Sequence, residues 1–557
     1  MRAYRQFLIV MIIVVTLVAL VGRLFFLQSS ATIEAWMSAR GLEGTRGLVS
    51  KSVAQRRTAT VLDDGRGRIV DRMGLPLAGG WPSLELNTQA YENLGKGVDD
   101  AAVQRYPARP IAAHLIGYVA QYPELLEKLY ERELLRGRIQ VSDQVGAAGL
   151  ERTFDRFLRP VNRISKVSYR DGQFKPMSGM EDRILRTDND FYPLQLRTTI
   201  DRKLQIQIEQ LLAQSDVEEA VIVVLAADSG DILAMAGKPT YDPYHVEPDL
   251  GMWNNKAVSA YSPGSVFKTV VAAAALEEGM TYPGERFQCD GVWHNHHLRC
   301  SNRSGHGQIT LEQAYALSCN ITFAKLAARL GPMKLEKTAE KLGIGRKVGW
   351  SKDRLETPVG VIEHFNQLDS EQPGQVFDPA SNRMDEGVLA RTGIGQQDVR
   401  MSPLQAARLT AIIANGGYEV KPRAVSEIRM SNNRTFLSFP AFERKERVLS
   451  GRTASWLANA MRLTVRSGTG KSLAHLSRIG GAGGKTGTAE LDTVFPGVGV
   501  DDRASRSHRV VHQWFTGFTP SAAPKYTFTV LAGNRQPNSP HMATKIAQEL
   551  VLLLGDL

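Results

Sequence analysis

Cysteine is scarce: Cys289, Cys300 and Cys319 are the only three in 557 residues, too few for a fold that rests on a disulfide framework. Arginine-rich runs and zinc-finger spacings are missing too, so the basic excess does not read as nucleic-acid binding. There is no internal repeat and no low-complexity tract. The phosphate-binding pattern G-x-x-x-x-G-K-[ST] is incomplete at both places where its end occurs. Ile479 stands where Gly484-Lys485-Thr486 needs a preceding glycine, and Val465 where Gly470-Lys471-Ser472 needs one. A nucleotide-hydrolysing loop is thereby excluded.

What is present describes a globular chain with real cores. Hydrophobic residues at 43% and charged residues at 22% exclude disorder over the whole length, and the length implies two or three folded units. The net charge of +11 favours contact with something anionic, such as lipid headgroups or cell-wall polymer, but the basic residues are spread along the chain.

The N-terminus is more informative. Phe7 to Gly22 carries no charge, and Leu24-Phe25-Phe26-Leu27 extends the apolar run past Arg23. That reaches the roughly 20 residues of a membrane span if Arg23 snorkels to the interface. Arg2 and Arg5 precede it, so the expected topology is a single pass with a cytoplasmic N-terminus and an extracytoplasmic body. A cleaved signal peptide is the rival, since Ser29-Ser30-Ala31 offers small residues, but the apolar stretch is long for a signal core. The expected division is an anchor at 1–28, a second unit at 29–195 and a third at 196–557.

Coarse periodicity gives an α+β layer fold. Gly65 to Gly74 is turn-rich around a short apolar run, as in a strand and hairpin. Arg202 to Leu212 reads as an amphipathic helix capped by Asp201. Ala220–Ala226, a turn at Asp228-Ser229-Gly230-Asp231, and Ile232–Ala236 make an antiparallel hairpin. Helical patterns follow at Val266–Glu278, Leu311–Leu330, Pro403–Ala414 and Ala454–Arg466. Two late strands, Gln513–Phe518 and Tyr526–Ala532, precede a closing helix at Ala543–Leu554. Strands from both ends therefore flank a helical middle. The polar, proline-containing stretch between Gly349 and Val388 shows no clear element, and the expectation drawn from its length is a mobile, irregular loop that flanks a cleft.

Three short motifs carry chemistry. In Ser262-Pro263-Gly264-Ser265-Val266-Phe267-Lys268, Ser265 and Lys268 stand three apart at a helix start, so their side chains share a face. A neutral lysine can take the proton that makes serine a nucleophile, and free N–H groups at the helix start favour developing negative charge. The bland alternative is an N-cap serine and a surface lysine, yet Val266, Phe267, Val270 and Val271 leave Lys268 little solvated surface. Ser318-Cys319-Asn320 puts two polar side chains in an apolar helical setting, or else marks a turn between helices. Gly484-Lys485-Thr486-Gly487-Thr488 offers close backbone approach, a cation and two hydroxyls for a carboxylate.

In this order the three motifs form the signature of the penicillin-recognising serine transferases and hydrolases. Over nearly its whole length the chain resembles a class B penicillin-binding protein, of the penicillin-binding protein 2 kind. Gly393-Ile394-Gly395-Gln396-Gln397, Met401-Ser402-Pro403-Leu404-Gln405 and Trp514-Phe515-Thr516-Gly517-Phe518 look like its middle segments. Arg66–Ala78 with Gly149-Leu150-Glu151 looks like its non-catalytic pedestal. Met73 departs from that pattern, where relatives usually carry asparagine.

The resemblance implies a five-stranded antiparallel sheet flanked by helices, an N-terminal pedestal and one transmembrane helix. It implies a D,D-transpeptidase in which Ser265 attacks the D-Ala–D-Ala carbonyl of a stem peptide. Lys268 would be its base, Ser318 and Lys485 the proton relay, and Asn320 the support of Lys268. Thr486, Gly487 and Thr488 would bind the substrate, and the backbone N–H groups of Ser265 and Thr488 would form the oxyanion hole. No cofactor is implied. Partners would be stem peptides on lipid-linked nascent glycan strands, β-lactams as covalent inhibitors, and a membrane glycosyltransferase of the shape, division or sporulation type. A D,D-carboxypeptidase, or a scaffold that activates the glycosyltransferase, are the alternatives.

One cluster falls outside this scheme. Cys289, His294, His296, His297, Cys300 and His306 lie close in sequence without standard metal-ligand spacing. A Cys289–Cys300 disulfide, free thiols, and a metal held by Cys289, His294, His296 and Cys300 stay open, with the disulfide best suited to an exported protein. Cys319 reads as a small buried spacer.

Overall fold

The computed structural model describes residues 7, 9–25, 57–79, 104–136, 139–161, 164–171, 173, 175, 177, 182–185, 189, 191–441, 446–494 and 507–556. They divide into two compact units. In the smaller, strands Arg57–Asp63, Ile164–Tyr169 and Arg183–Leu185 form an antiparallel sheet with Ile164–Tyr169 central. This unit also takes in residues 9–25, which are helical and exposed throughout. Among the described residues no helix is long and apolar enough to cross a membrane.

The larger unit holds residues 66–81, 104–160 and 190–557. Its main sheet has β1 (Glu219–Ala226), β2 (Ile232–Lys238), β3 (Gly483–Val494), β4 (Ser507–Thr519) and β5 (Tyr526–Arg535). All neighbours are antiparallel, in the order β2-β1-β5-β4-β3, so β3 is an edge. Among its helices are α1 (Arg202–Gln214), α2 (Lys268–Glu277), α3 (Leu311–Ala316), α4 (Asn320–Leu330), α5 (Glu386–Gly393), α6 (Pro403–Ala414), α7 (Gly451–Ser467) and α8 (Met542–Gly555).

The apolar run of β1 follows from its position between two helical layers. Val221, Val223 and Leu225 enter a core shared with α2 and α6. Ala220, Ile222 and Val224 enter the opposite core, shared with α1 and α8. A strand buried on both faces has no polar alternation to show. Local signals set the helix starts. Asp201 accepts from Leu204 N at 3.1 Å to cap α1, and capping boxes at Thr310/Gln313 and Ser402/Gln405 begin α3 and α6.

A second sheet joins Thr435–Ser438, Val425–Arg429, Gln195–Thr198, Arg68–Val70 and Pro76–Ala78 in that order. Arg68–Val70 pairs with Gln195–Thr198 in parallel, so a strand from the expected pedestal joins the start of the expected third unit in one ladder. Beside it Arg66 and Arg105 close on the buried carboxylate of Glu151 at 2.9 and 2.6 Å, and Arg66 also reaches Asp155 at 2.6 Å. His114, buried nearby, faces Met252 O at 3.1 Å.

One expectation is corrected. The stretch 349–388 is not an irregular loop: Ser351–Thr357 and Gly360–Asn366 pair as a hairpin. Beyond it Gln367, Leu368, Glu371, Val376 and Phe377 are buried. The helical pattern over Leu311–Leu330 is interrupted by the turn between helices that Ser318-Cys319-Asn320 offered as its plainer reading. It breaks between α3 and α4, where Ser318 takes a left-handed φ of 58° and Cys319 N bonds back to Ala314 O at 2.8 Å.

Candidate active site

The site grows from that break and two neighbouring elements. Pro263-Gly264 end the preceding segment, and a 3-10 turn, Gly264–Phe267, runs directly into α2. Gly264 has φ 51°, and a Cβ there would lie 2.2 Å from Thr488 O. Only glycine lets this turn come so close to β3. Ser265 follows, half-buried, and Lys268 stands one turn on, at 0% exposure.

Lys268 is buried because α2 is apolar around it, and the α3–α4 break receives its charge. Its Nζ donates to Ser318 O at 2.7 Å, to Asn320 Oδ1 at 2.6 Å and to Ser318 Oγ at 3.2 Å. Three acceptors match the three N–H groups of an ammonium. The longest contact is to a hydroxyl, which can turn away when the lysine loses a proton. Burial lowers the Lys268 pKa to about 8, against a smaller upward pull from Cys319 and Cys300.

Lys485 enters from β3, also at 0% exposure, and donates to Ser318 Oγ at 2.9 Å and to Thr486 O at 2.9 Å. Burial first, and then the charge of Lys268, push its pKa well below the ordinary lysine value. Two desolvated cations therefore share one hydroxyl, and each makes the other easier to deprotonate.

The carboxylate-binding candidates line the same strand. Thr486 is buried, with its hydroxyl 2.6 Å from that of Thr469, a residue no motif signals. Thr488 is exposed. Gly487 packs against the Ser265 turn, since a Cβ there would meet Pro263 O at 2.7 Å and Val266 Cγ2 at 2.9 Å. Gln396 also reaches this strand, at Thr488 O. Lys268, Ser318, Asn320 and Lys485 thus come together from α2, the α3–α4 break and β3, and Ser265 lies on the turn that leads into Lys268.

Residues 220–552 match the family model for the penicillin-binding protein transpeptidase domain. The chain belongs to this family. Residues 86–175 also match the penicillin-binding protein dimerisation domain, so the resemblance read from the motifs is borne out over both parts. Among curated relatives of this penicillin-binding protein, the peptidoglycan D,D-transpeptidase MrdA of Acinetobacter baumannii is 24% identical over 471 residues, 80% of this chain and 65% of the relative. Stage V sporulation protein D of Bacillus subtilis is 26% identical over 465 residues, 80% of this chain and 62% of the relative. The chain therefore spans somewhat less than two thirds of the length of these relatives.

Solved structures share the fold. Penicillin-binding protein 3 of Mycobacterium tuberculosis in its apo form has a TM-score of 0.61 at 22% identity, covering 90% of this chain and 97% of that one. The Pseudomonas aeruginosa penicillin-binding protein 2 complex with WCK 5153 has a TM-score of 0.60 at 22% identity, covering 89% and 95%. The mycobacterial protein has also been solved with ampicillin.

The cysteine and histidine cluster is rearranged relative to expectation. All three cysteines are free and buried, so the Cys289–Cys300 disulfide is not formed. His306 sits between their sulfurs instead, its Nδ1 3.6 Å from Cys289 Sγ and 3.5 Å from Cys300 Sγ. Cys319 completes the group, 3.9 Å from Cys300 Sγ. The four donor atoms of Cys289, Cys300, His306 and Cys319 lie within 4.8 Å of one another. His294 and His296 are not among them. His294 is exposed, and His296 packs edge-on to Trp293 with Glu386 at 3.3 Å. Three thiols and one imidazole are the donor set of a closed, structural zinc site. The hydrogen bond with Cys319 pulls the Cys300 thiol well below its usual range, which favours the thiolate that binds metal. A metal here would tether the α3–α4 break through Cys319, directly between Ser318 and Asn320.

Proposed function

We propose that this penicillin-binding protein is a peptidoglycan D,D-transpeptidase, a serine-type acyltransferase. The observation that carries the reading is the meeting of two buried lysines on Ser318 Oγ, one of which, Lys268, stands one helical turn after Ser265. Neutral Lys268 takes the proton of Ser265 as Oγ bonds to the penultimate D-Ala carbonyl. Ser318 and Lys485 pass a proton to the amine of the terminal D-Ala as its C–N bond breaks. The N–H groups of Ser265 and Thr488 hold the oxyanion, while Thr486, Gly487 and Thr488 receive the terminal carboxylate. An amine of a second stem peptide then attacks the ester, forms the cross-link and returns the proton to Ser265. β-Lactams imitate the donor and remain on Ser265.

On this reading residues 1–28 hold the chain in the cell membrane in a single pass with the N-terminus cytoplasmic. Residues 29–195 form the pedestal, and 196–557 work outside the membrane. The uncharged run Phe7–Gly22 supports the anchor. The dimerisation-domain match supports the pedestal, through which a membrane glycosyltransferase would be engaged.

Labelling with a fluorescent penicillin, wild type beside Ser265→Ala, tests the proposal. A stable covalent band that the mutant lacks supports it. Rapid loss of label indicates a β-lactamase, and equal labelling of both proteins removes Ser265 as nucleophile.

A further inference from the structure

β3 is the edge of the main sheet, so one row of its backbone groups has no strand partner. Thr486, Thr488 and Glu490 carry that row. Thr486 O receives Lys485 Nζ, and the other two residues meet Gln396. Its Nε2 donates to Thr488 O at 3.0 Å, and Glu490 N–H donates to its Oε1 at 3.1 Å. The carboxamide thus satisfies the edge as a peptide group of an added strand would.

The segment bearing Gln396 is joined to the nucleophile turn. Gly395 O accepts from Gly264 N at 3.0 Å and from Ser262 Oγ at 3.1 Å. Gly395 has φ 77°, and a Cβ there would lie 1.9 Å from Gly264 O. Gln396 is therefore presented to Thr488 from a fixed position beside Ser265.

This contact stands in the way of an acyl donor. In a hydrogen-bonded antiparallel pair, two facing residues exchange both N–H···O bonds. A donor residue whose carbonyl oxygen accepts from Thr488 N–H consequently brings its own N–H against Thr488 O. That acceptor already holds Gln396. We infer that Gln396 is a latch on β3: it competes with the donor's backbone N–H for Thr488 O and must be released before a peptide can lie along the edge. The inference rests on the acyl transfer proposed at Ser265, and it adds a residue that closes the donor path in the free enzyme.

Two thioester donors with the same leaving group test it. N-acetyl-D-alanyl thioglycolate carries the competing N–H, whereas propionyl thioglycolate has the same acyl carbons and no acylamino group. Acylation of Ser265 breaks the C–S bond and releases thioglycolate, which a thiol reagent reads. Gln396→Ala, and Gln396→Glu, which keeps the volume but cannot donate to Thr488 O, are each expected to raise the acetylalanyl-to-propionyl rate ratio threefold or more. An unchanged ratio, with both rates rising or falling together, makes Gln396 a support of β3 and overturns the latch. A lower ratio means that Gln396 binds the donor and overturns it as well. Penicillin labelling at Ser265 is run alongside. Label with an unmoved ratio sinks the latch alone, whereas no label and no thiol release from wild type sinks the acyl-transfer reading with it.

Discussion

Lys268 and Lys485 donate to the same oxygen, Ser318 Oγ, from 3.2 and 2.9 Å, although one comes from a helix and the other from a strand edge. Both are fully buried, and no carboxylate is among their hydrogen-bond partners. Burying a cation without a counter-charge disfavours the charged form, which is the condition a lysine base requires.

A guanidinium at position 268 would keep its proton. Lys268→Arg is therefore expected to lower the rate of penicillin acylation by about 10²–10⁴-fold, the range for removing a general base. Rapid-quench labelling reads it. A variant keeping more than a few per cent of the rate would take Lys268 out of the base role.

With Lys268 at about 8, the neutral form that can act as base is the minority below that pH. The acylation rate is expected to rise about tenfold per pH unit well below 8 and to level off above it. A rate that is flat from pH 6 to 9 contradicts this assignment.

The cluster of Cys289, Cys300, His306 and Cys319 predicts metal in the purified protein. About one equivalent of zinc is expected, with His306→Ala or Cys289→Ser losing most of it. A chelator should also lower the melting temperature, because metal that binds only the folded state stabilises it by mass action. Metal-free protein with three titratable thiols and an unshifted melting curve argues for a purely packed cluster.

Glu151 holds two arginines in a buried setting. Glu151→Ala leaves Arg105 without its carboxylate and Arg66 still beside Asp155, and is expected to cost about 3–5 kcal/mol of stability, measured by denaturant unfolding. A loss under about 1 kcal/mol would mean that water reaches Arg66 and Arg105 readily.

His114 supplies a stability-versus-pH test. Burial lowers its pKa to about 4 from an ordinary 6.5, so between those values the unfolded chain binds a proton that the folded chain refuses. Stability is complete above 6.5 and falls as pH drops toward 4, by on the order of 3 kcal/mol. His114→Gln keeps a donor for Met252 O and should flatten that dependence.

Much of the site was legible because each motif marks a local break in a regular pattern. Pro263-Gly264 before an apolar helix, and the glycines around Lys485-Thr486, stand out on sequence alone. Thr469 gave no such signal, since it acts through a single hydroxyl contact with Thr486. Gln396 lay in a segment that resembles the family's, but its two contacts with β3 join parts far apart in the chain. The 351–366 hairpin was obscured because most of its residues are exposed on both faces, leaving no alternation to read.

The Asp201 cap, the buried runs of β1 and β5, and the order of the three motifs could be read from the chain alone. These depend on neighbours within a few residues and on the two periods, 3.6 and 2. Which polar groups meet was set by the packing of distant elements. Lys268 and Lys485 reach Ser318 because β3 lies at the sheet edge beside α2 and the α3–α4 break. Cys319 joins Cys289, Cys300 and His306 rather than serving only as a spacer, because that same break turns it toward them. Such meetings are set by packing between elements far apart in the chain, a distance that local periodicity does not carry.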